Sequence, residues 1–368
     1  MKKPRTPRHP LRSLSLCAAS ALAIGVARAA EPAGAILAPA PAPPPPPAPL
    51  GVFGADMPPA GKLVVSIIPQ FANASTMLKG TRAVSPEEVV TTTRWHVDPA
   101  KMLRGVPQNA FLATQTVALA YGVTKDLSVV ATIGMAEKNL DFLTFKGPSG
   151  ATRLGPSYTG TDSLTDATLS GIYRIYADPV HRVQINLGMS FPSGGNQNSF
   201  TLLQADGTYL TSRAFYAMQI GSGTFDIMPG AVYAGHLGKW SWGVAYRARL
   251  PLAANPQGYL YGDLHTFDGW GGYSWIPGLT TTLRVNASLQ GPIRGSDPLI
   301  AGKAPAANPN FYGGQRIELF GGATISGKFV GLDDVSVAIE GGPVVHQNLN
   351  GPQLSKNWQA GMALRFKI

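Results

Sequence analysis

From Lys62 to the end of the chain, apolar and polar residues alternate in short segments. In segment 183–191 every odd position is apolar, and every even position is polar or glycine. Segments 283–290 and 357–368 repeat this period of two. Such alternation is typical of β-strands with one apolar face and one polar face. The pattern therefore predicts an all-β protein.

The alternating segments predict twelve strands. Their bounds are 62–73, 113–121, 127–136, 165–177, 182–191, 223–237, 240–252, 263–276, 279–293, 315–326, 335–347 and 357–368. The connections between them are alternately short and long. The short ones contain turn residues, as in Asp178-Pro179, Gly238-Lys239 and Pro277-Gly278. The long ones fall at 74–112, 137–164, 192–222, 253–262, 294–314 and 348–356.

Strand length and connection length together predict the fold class. Most of the predicted strands have at least the ~9–11 residues that a tilted membrane strand needs. Outer-membrane barrels join such strands by short periplasmic turns and long external loops. We therefore predict that residues 61–368 form a transmembrane antiparallel up-and-down β-barrel of about twelve strands.

Three arginines near strand middles, Arg247, Arg249 and Arg284, share the parity of the polar residues. One arginine facing lipid at the membrane midplane costs roughly 2–4 kcal/mol. Three would cost roughly 6–12 kcal/mol, against a typical total stability of about 5–15 kcal/mol. The polar parity is therefore predicted to face the lumen. The pore-lining residues predicted on it are Arg174, Arg247, Arg249, Arg284, Arg316, Arg365, Asp226, Asp268, Glu318 and Glu340.

These lumen charges are compatible with two functions. In one, the arginines line a polar pathway for small solutes with a mild preference for anions. In the other, arginines and carboxylates pair across the lumen and plug it, leaving a structural or adhesive barrel that acts through its external loops. Twelve strands fall between roughly eight, where side chains fill the interior, and about sixteen, where an aqueous channel opens. Alternation alone does not distinguish the two functions.

Aromatic residues concentrate near the predicted short turns. This position indicates an interfacial girdle at the periplasmic rim. The girdle residues predicted in this way are Tyr121, Tyr173, Tyr233, Trp240, Trp242, Tyr273 and Trp275.

The first sixty residues differ in texture from the rest. Five basic residues precede an apolar run at 14–27, and the small residues around Arg28 predict a signal peptide, residues 1–29, cleaved between Ala29 and Ala30. The alternative, an N-terminal membrane anchor, is disfavoured because the run is shorter than the ~18–20 residues that a spanning helix needs. Residues 30–60 are rich in proline and alanine, which predicts a periplasmic tail.

Removal of the signal peptide changes the charge and the cysteine content. The chain has 30 basic and 20 acidic residues, and six of the basic ones lie in residues 1–29, so the mature net charge falls from +10 to +4. We therefore expect no nucleic-acid partner. The single cysteine, Cys17, also lies in the signal peptide, so the mature chain is expected to form no disulfide.

No enzymatic, cofactor-binding or metal-ligating motif stands out in the sequence. It contains no Gly-x-Ser-x-Gly elbow, phosphate loop or His-Glu-x-x-His pair. We expect no catalytic residue, no cofactor and no metal. A barrel-embedded hydrolase is a distant alternative, for which His265 and His346 lie near predicted external strand ends.

Five segments carry a resemblance to a known family. They are Gly51–Gly54, Leu187–Gly194, Gly221–Gly230, Gly313–Leu319 and Leu349–Leu354, which follow one another in order across residues 51–368. They resemble the outer-membrane barrel family named for the meta-pathway of phenol degradation, whose members are described as transporters. The resemblance implies a barrel that passes small solutes, including aromatic or apolar compounds.

Partners and location follow from this interpretation. In a Gram-negative outer membrane the barrel would contact lipid and lipopolysaccharide, and a small-molecule solute would occupy its lumen. The barrel assembly machinery would insert it, although the chain ends in Ile368, with Phe366 two residues before, instead of a terminal aromatic residue.

Overall fold

The structure is a computed structural model that describes residues 45–368, so the predicted signal peptide, its cleavage at Ala29 and Ala30, and the first part of the proline-rich segment lie outside the described residues. The strands are β1 (Leu63–Gly80), β2 (Arg82–Ala83), β3 (Gly105–Gly122), β4 (Leu127–Phe145), β5 (Arg153–Leu164), β6 (Ala167–Ala177), β7 (His181–Phe191), β8 (Ser199–Leu203), β9 (Tyr209–Arg213), β10 (Asp226–Leu237), β11 (Trp240–Pro251), β12 (Tyr259–Leu260), β13 (Leu264–Ile276), β14 (Leu279–Gln290), β15 (Arg294–Gly295), β16 (Gly314–Ser326) and β17 (Val335–Lys367). One α-helix, α1, spans Pro86–Thr92, and short 3₁₀ turns lie at Tyr216–Met218, Pro305–Ala307, Pro309–Phe311 and Gly327–Val330.

Eleven of these strands form one closed antiparallel sheet. Each pairs with the next along the wall, in the order β1, β3, β4, β6, β7, β10, β11, β13, β14, β16 and β17. The last strand then pairs back with the first, for example Ile67 with Leu364, which closes the barrel.

The last strand, β17, spans the height of the barrel twice, once in each direction. Its first part pairs with β16, up to Leu349, and its second part pairs with β1. An added Cβ at Gly341 would lie 3.2 Å from Cβ of Ala360, so the two parts lie side by side as a hairpin. The wall therefore consists of eleven strands that span the barrel twelve times, because β17 does so twice. This confirms the predicted all-β barrel of about twelve strands.

The short connections end in tight turns at one rim of the barrel. Two turns contain only two residues each, 238–239 and 277–278, and their glycines have φ of +58° and +94°. Glycine adopts such positive φ values without the penalty that a Cβ imposes, so Gly238 and Gly278 suit these tight reversals. We call this rim the turn end and the opposite rim the loop end.

At the loop end, several stretches that were predicted to be loops belong to strands. β1, β3 and β4 are 18 or 19 residues long and continue through residues expected to be loop. β5 pairs with the outer part of β4, and residues 348–356 belong to β17. The outward parity there contains polar residues such as Asn73, Asn109 and Asp141, so the two faces no longer contrast and the period of two disappears.

The outward face of the strands is apolar and exposed. Leu187, Val244 and Leu283 are 62%, 57% and 66% exposed, whereas five of their six strand neighbours on the other face are buried. A soluble protein rarely leaves such a contiguous apolar belt in water, whereas the lipid-facing band of a membrane barrel has this composition. Within residues 45–368, no helix is both long enough and apolar enough to span a bilayer.

The long connections form a packed cap at the loop end. The β8–β9 hairpin and the 3₁₀ turns at 216–218 and 305–307 contribute to one apolar core with Leu140 and Phe142 of β4. Helix α1 begins at the N-cap Ser85, whose Oγ accepts from N–H of Glu88 at 3.1 Å. Val89 and Val90 of this helix pack in a second core with Leu103 and Phe145.

A closed sheet has a direct consequence on denaturing gels. Every wall strand is hydrogen-bonded on both sides, so the barrel has no free edge where detergent can begin to separate strands. We expect an unboiled sample in sodium dodecyl sulfate to migrate differently from a boiled sample. The boiled protein is the control, and identical mobility of the two samples would contradict a closed barrel.

Candidate lumen site

One face of each wall strand turns towards the barrel interior, and it is mainly polar. On β7, Gln184, Asn186 and Ser190 are buried, whereas Ile185 and Leu187 on the other face are exposed. The same alternation recurs on β14, where Thr282, Arg284 and Asn286 are buried. We call this set of inward positions the lumen face.

Residues 45–60, which we call the lumen segment, lie inside the barrel near the turn end. Ala48, Val52 and Ala55 are buried and form an apolar cluster with Val232, Ala234 and Trp270 of the lumen face. The chain passes Gly122 at the turn end, where Gly61 N–H donates to the carbonyl of Gly122 at 2.7 Å, and then enters β1. A segment that touches strands around the wall can only run through the interior.

The position of the lumen segment corrects one prediction. The proline-rich residues 30–60 were expected to form a periplasmic tail, but the described part, residues 45–60, lies within the lumen. The lumen segment can lie there because apolar and small residues follow the prolines, namely Gly51-Val52-Phe53-Gly54-Ala55. These residues fit among the lumen side chains, and composition alone did not reveal this.

Polar contacts also join the lumen segment to the wall. N–H of Gly51 donates to Oε2 of Glu340 at 3.0 Å. The guanidinium of Arg247 lies over the ring of Phe53, 3.7 Å from its centroid. With its side-chain nitrogen turned towards the lumen segment, Gln184 donates to the carbonyls of Gly54 and Ala55 at 2.9 and 3.3 Å.

A buried ion network lies beside this segment. Arg284, which is 5% exposed, donates to both carboxylate oxygens of Glu340 at 2.9 and 2.8 Å and to Oδ1 of Asp268 at 2.7 Å. Asn286 donates to the same Asp268 oxygen at 2.9 Å. A paired guanidinium of this kind holds neighbouring strands together and leaves little positive charge free in the lumen.

The loop-end half of the lumen contains a cavity of about 570 Å³. Its wall includes residues at the loop ends of β1, β3, β13 and β14, together with the inward part of the 192–225 connection. None of residues 45–60 lines it, so the cavity and the lumen segment occupy different halves of the barrel. The size is within the range of about 300–1,000 Å³ that is typical of small-molecule sites.

Apolar and aromatic side chains form much of the cavity wall, among them Phe215, Phe311, Tyr312 and Leu354. Burial raises the pKa of the Tyr312 phenol, so this group remains a neutral donor, here to the carbonyl of Ala306 at 2.6 Å. The same effect raises the pKa of Tyr261, which also lines the cavity. The aromatic wall therefore adds no negative charge near neutral pH.

The cations of the cavity are Lys138, Arg249, Arg316 and Lys356. Arg249 pairs with Asp226 and, at 3.0 Å, with Asp166. Lys356 lies 2.7 Å from Oε1 of Glu318. Lys138 donates to two backbone carbonyls of the 216–220 stretch, at 2.8 and 2.6 Å, and so ties this stretch over the lumen.

Asp166 anchors two of the segments that carried the family resemblance. It accepts from N–H of Gly194 at 3.0 Å and from N–H and Oγ of Ser222 at 2.9 and 2.7 Å. The two chains approach so closely that a Cβ on Gly221 would lie 2.4 Å from backbone atoms of Gly194. This contact explains glycine at both positions.

The other three resembling segments also line the interior. Gly51–Gly54 belongs to the lumen segment, and the segment from Gly313 contains Arg316 and Glu318 on the wall. Gly351, near the tip of the β17 hairpin, contacts Phe311 of the cavity wall. The five segments are far apart in sequence, and the fold brings all of them to the lumen or its cavity.

All ten residues predicted to line the pore lie on the lumen face, but their surroundings differ. Arg284, Asp268 and Glu340 form the buried network, whereas Arg249, Arg316 and Asp226 line the cavity. The others are Glu318, paired with Lys356; Arg174, 3.9 Å from Asp126; Arg247, over Phe53; and Arg365, opposite Ser66. Seven of the ten charges therefore form local ion pairs, so the lumen does not contain one continuous ladder of free arginines.

The seven predicted girdle residues lie near the turn end. Tyr121, Tyr173, Trp240 and Trp275 are exposed, and Tyr233, Trp242 and Tyr273 are partly buried. Several contact one another: Nε1 of Trp242 donates to the hydroxyl of Tyr233 at 3.2 Å, and Tyr273 packs edge-on against Trp240 and Trp275.

The two histidines considered for a hydrolase face outward. Nδ1 of His265 lies 2.9 Å from the hydroxyl of Tyr246, and the neighbouring residue on this face, Phe267, is exposed. His346 is exposed and pairs with Ile317 on the outward parity. Among the described residues neither histidine has a serine as its hydrogen-bond partner, and no cluster of three or more acidic, histidine or cysteine side chains suits a metal ion.

Comparison with known proteins supports the fold. No protein-family model and no curated protein sequence matches the chain. Among solved structures, an outer membrane channel from Pseudomonas putida F1 is 12% identical with a TM-score of 0.56, and the match covers 86% of this chain and 98% of that chain. At this identity the likeness concerns the fold alone.

Two further solved structures have TM-scores below 0.5. The translocator domain of the autotransporter NalP from Neisseria meningitidis is 11% identical with a TM-score of 0.46, covering 84% of this chain and 90% of that chain. The toluene transporter TodX of P. putida is 9% identical with a TM-score of 0.43, covering 84% and 91%. The closed antiparallel barrel, its exposed apolar belt and the first of these comparisons show that the chain has the fold of the outer-membrane β-barrels, which indicates an outer-membrane location.

Proposed function

We propose that the protein is an outer-membrane channel or transporter that carries small solutes with an apolar or aromatic body. The observation that supports this proposal most directly is the cavity of about 570 Å³ at the loop end, which is lined by both aromatic and charged side chains. An apolar solute entering it would leave water and gain contacts with Phe215, Phe311 and Leu354. The resemblance to the phenol meta-pathway family agrees with this class of solute.

The lumen segment favours a second candidate. Because residues 45–60 occupy the turn-end half of the barrel, the lumen is obstructed in the structure described. A barrel that stays obstructed would act through its packed external cap, as a structural or adhesive protein. The two candidates differ in whether solute crosses the membrane.

Entry of a fluorescent aromatic probe into vesicles with a lipopolysaccharide outer leaflet separates the two candidates. With 1-naphthol as the probe, we expect faster entry into vesicles that contain the protein than into protein-free vesicles. The variant Ala110→Trp places a large side chain at the cavity and should remove most of the difference, because Ala110 lines the wall there. The rate measured by stopped-flow fluorescence is the readout.

A matched control is Ala360→Trp. Ala360 has the outward parity of Trp358 and Met362, which are 40% and 41% exposed, so the new indole would face lipid. We expect this variant to retain the wild-type rate. Equal rates with and without the protein would contradict the channel and favour the adhesive candidate.

Export and membrane partners belong to the same proposal. Outer-membrane insertion would require the predicted signal peptide and the barrel assembly machinery, and the exposed apolar belt would contact lipid and lipopolysaccharide. No nucleic-acid partner is proposed.

A further inference from the structure

One cation of the cavity forms no ion pair among the described residues. Arg316 lies on β16 between Ser288 and Gln347 of the adjacent strands, and its side chain lines the cavity. Its buried Nε has no hydrogen-bond partner in the described part of the chain. Glu318, two residues along the same strand, is engaged by Lys356 at 2.7 Å.

The other three cations of the cavity are accounted for. Arg249 is held by Asp226 and Asp166, Lys356 by Glu318, and Lys138 by backbone carbonyls. Asp226 is the one acidic residue of the cavity lining, and Arg249 already pairs with it. A partly buried guanidinium whose Nε has no partner loses hydration without compensation, so an anion reaching Arg316 would replace the lost hydration with paired hydrogen bonds.

The surroundings of Arg316 indicate the shape of the anion. The cavity lining that contains Arg316 also contains the neutral amides of Gln290 and Gln359, and Phe311 and Leu354 supply apolar surface. A ligand that satisfies both environments has one anionic head and an apolar body. Among anions, a carboxylate matches the two parallel donors of a guanidinium.

We propose that Arg316 is the recognition residue of a carboxylate site, and that the cavity takes amphipathic monocarboxylates with an aromatic or alkyl body. The carboxylate lies against the guanidinium of Arg316, and the apolar body lies among the aromatic side chains of the external cap. This inference rests on the proposed function and makes it more specific, because it names the chemical class of the solute. It assigns Arg316 a role that the paired arginines of the lumen do not share.

The test compares two probes that differ only in the head group. Binding of 4-phenylbutyrate and of 4-phenylbutanol to the full-length mature protein in lipid nanodiscs is measured by calorimetry. For the wild type we expect the acid to bind about tenfold or more tightly than the alcohol, as charge-assisted hydrogen bonds predict. In Arg316→Gln this preference should disappear, while the affinity for the alcohol changes by less than about twofold.

Two further variants make the result specific. Arg316→Lys keeps the charge and should retain part of the preference, which separates a charge effect from a general loss of structure. Arg365→Gln removes a lumen-face arginine that does not line the cavity and should leave the preference unchanged. Heat-dependent gel mobility shows that each variant has folded.

The possible outcomes distinguish this inference from the proposed function. If acid and alcohol bind the wild type equally, or if Arg316→Gln retains the full preference, the carboxylate site is refuted while an apolar solute site survives. If neither probe binds the wild type, both the carboxylate site and the cavity as a solute site are refuted. If Arg316→Gln and Arg365→Gln lose the preference for the acid equally, the assignment is also refuted. The preference would then arise from the overall charge of the lumen and not from Arg316.

Discussion

Deletion of residues 45–57 is expected to raise the single-channel conductance of the protein in planar bilayers at least several-fold. These residues fill the turn-end half of the lumen, where Gly51 is bonded to Glu340 and Phe53 lies under Arg247. A barrel wall with twelve strand spans encloses more space than side chains alone fill, since about eight strands are the limit for a filled interior. Without the segment, water and ions therefore occupy the space it leaves.

A deletion of equal length provides the control. Removing residues 32–44 shortens the same proline-rich stretch but leaves the lumen segment intact, so the conductance should remain that of the wild type. The point variant Phe53→Ala should give an intermediate conductance, because it removes the ring beneath Arg247 and retains the rest of the segment. Unchanged conductance after deletion of 45–57 would mean that another part of the chain closes the lumen.

The substitution Arg284→Met is expected to lower the free energy of unfolding by about 3–5 kcal/mol. It removes the cation that pairs with both Glu340 and Asp268, and it leaves two carboxylates in the barrel interior without their partner. Isolated buried charges are among the most destabilising changes in a protein interior. Urea titration of the protein folded into phospholipid vesicles measures the change.

Two comparisons test the cause of this loss. Arg365→Met removes a lumen-face arginine that forms no ion pair among the described residues, and it should change stability by less than about 1 kcal/mol. The triple variant Arg284→Met, Asp268→Leu, Glu340→Met removes all three charges and should recover much of the lost stability. If the triple variant is less stable than Arg284→Met, stranded carboxylates are not the reason for the loss.

The wall of the barrel could be predicted because the alternation of apolar and polar residues is visible within each strand. Residues 183–191 and 283–290 alternate strictly, since one face meets lipid and the other meets the lumen. The cost of a lipid-facing arginine assigned the faces, and the structure has Arg247, Arg249 and Arg284 inside. The bounds of β3, β4 and β17 were wrong at the loop end, where the wall extends beyond the apolar belt and the two faces no longer differ consistently in polarity.

The candidate site could be predicted only in part. The ten charged lumen residues were identifiable by parity, but parity does not report which charges meet. Arg249 and Asp166 are 83 residues apart, and Arg284 and Glu340 are 56 residues apart, yet each pair is in direct contact. For this reason a paired Arg284 and an unpaired Arg316 look alike in the sequence.

By itself, the sequence determined the all-β wall, the inward and outward faces of its strands, and the alternation of short turns with long connections. These properties are local, because a strand of period two and a glycine-containing turn need only their own residues. The tertiary structure alone decided that residues 45–60 lie in the lumen, that the long connections pack into a cap above a cavity, and that the buried Nε of Arg316 has no hydrogen-bond partner among the described residues. Each of these depends on contacts between residues that closure of the barrel brings together across tens to hundreds of positions, and no local pattern records such contacts.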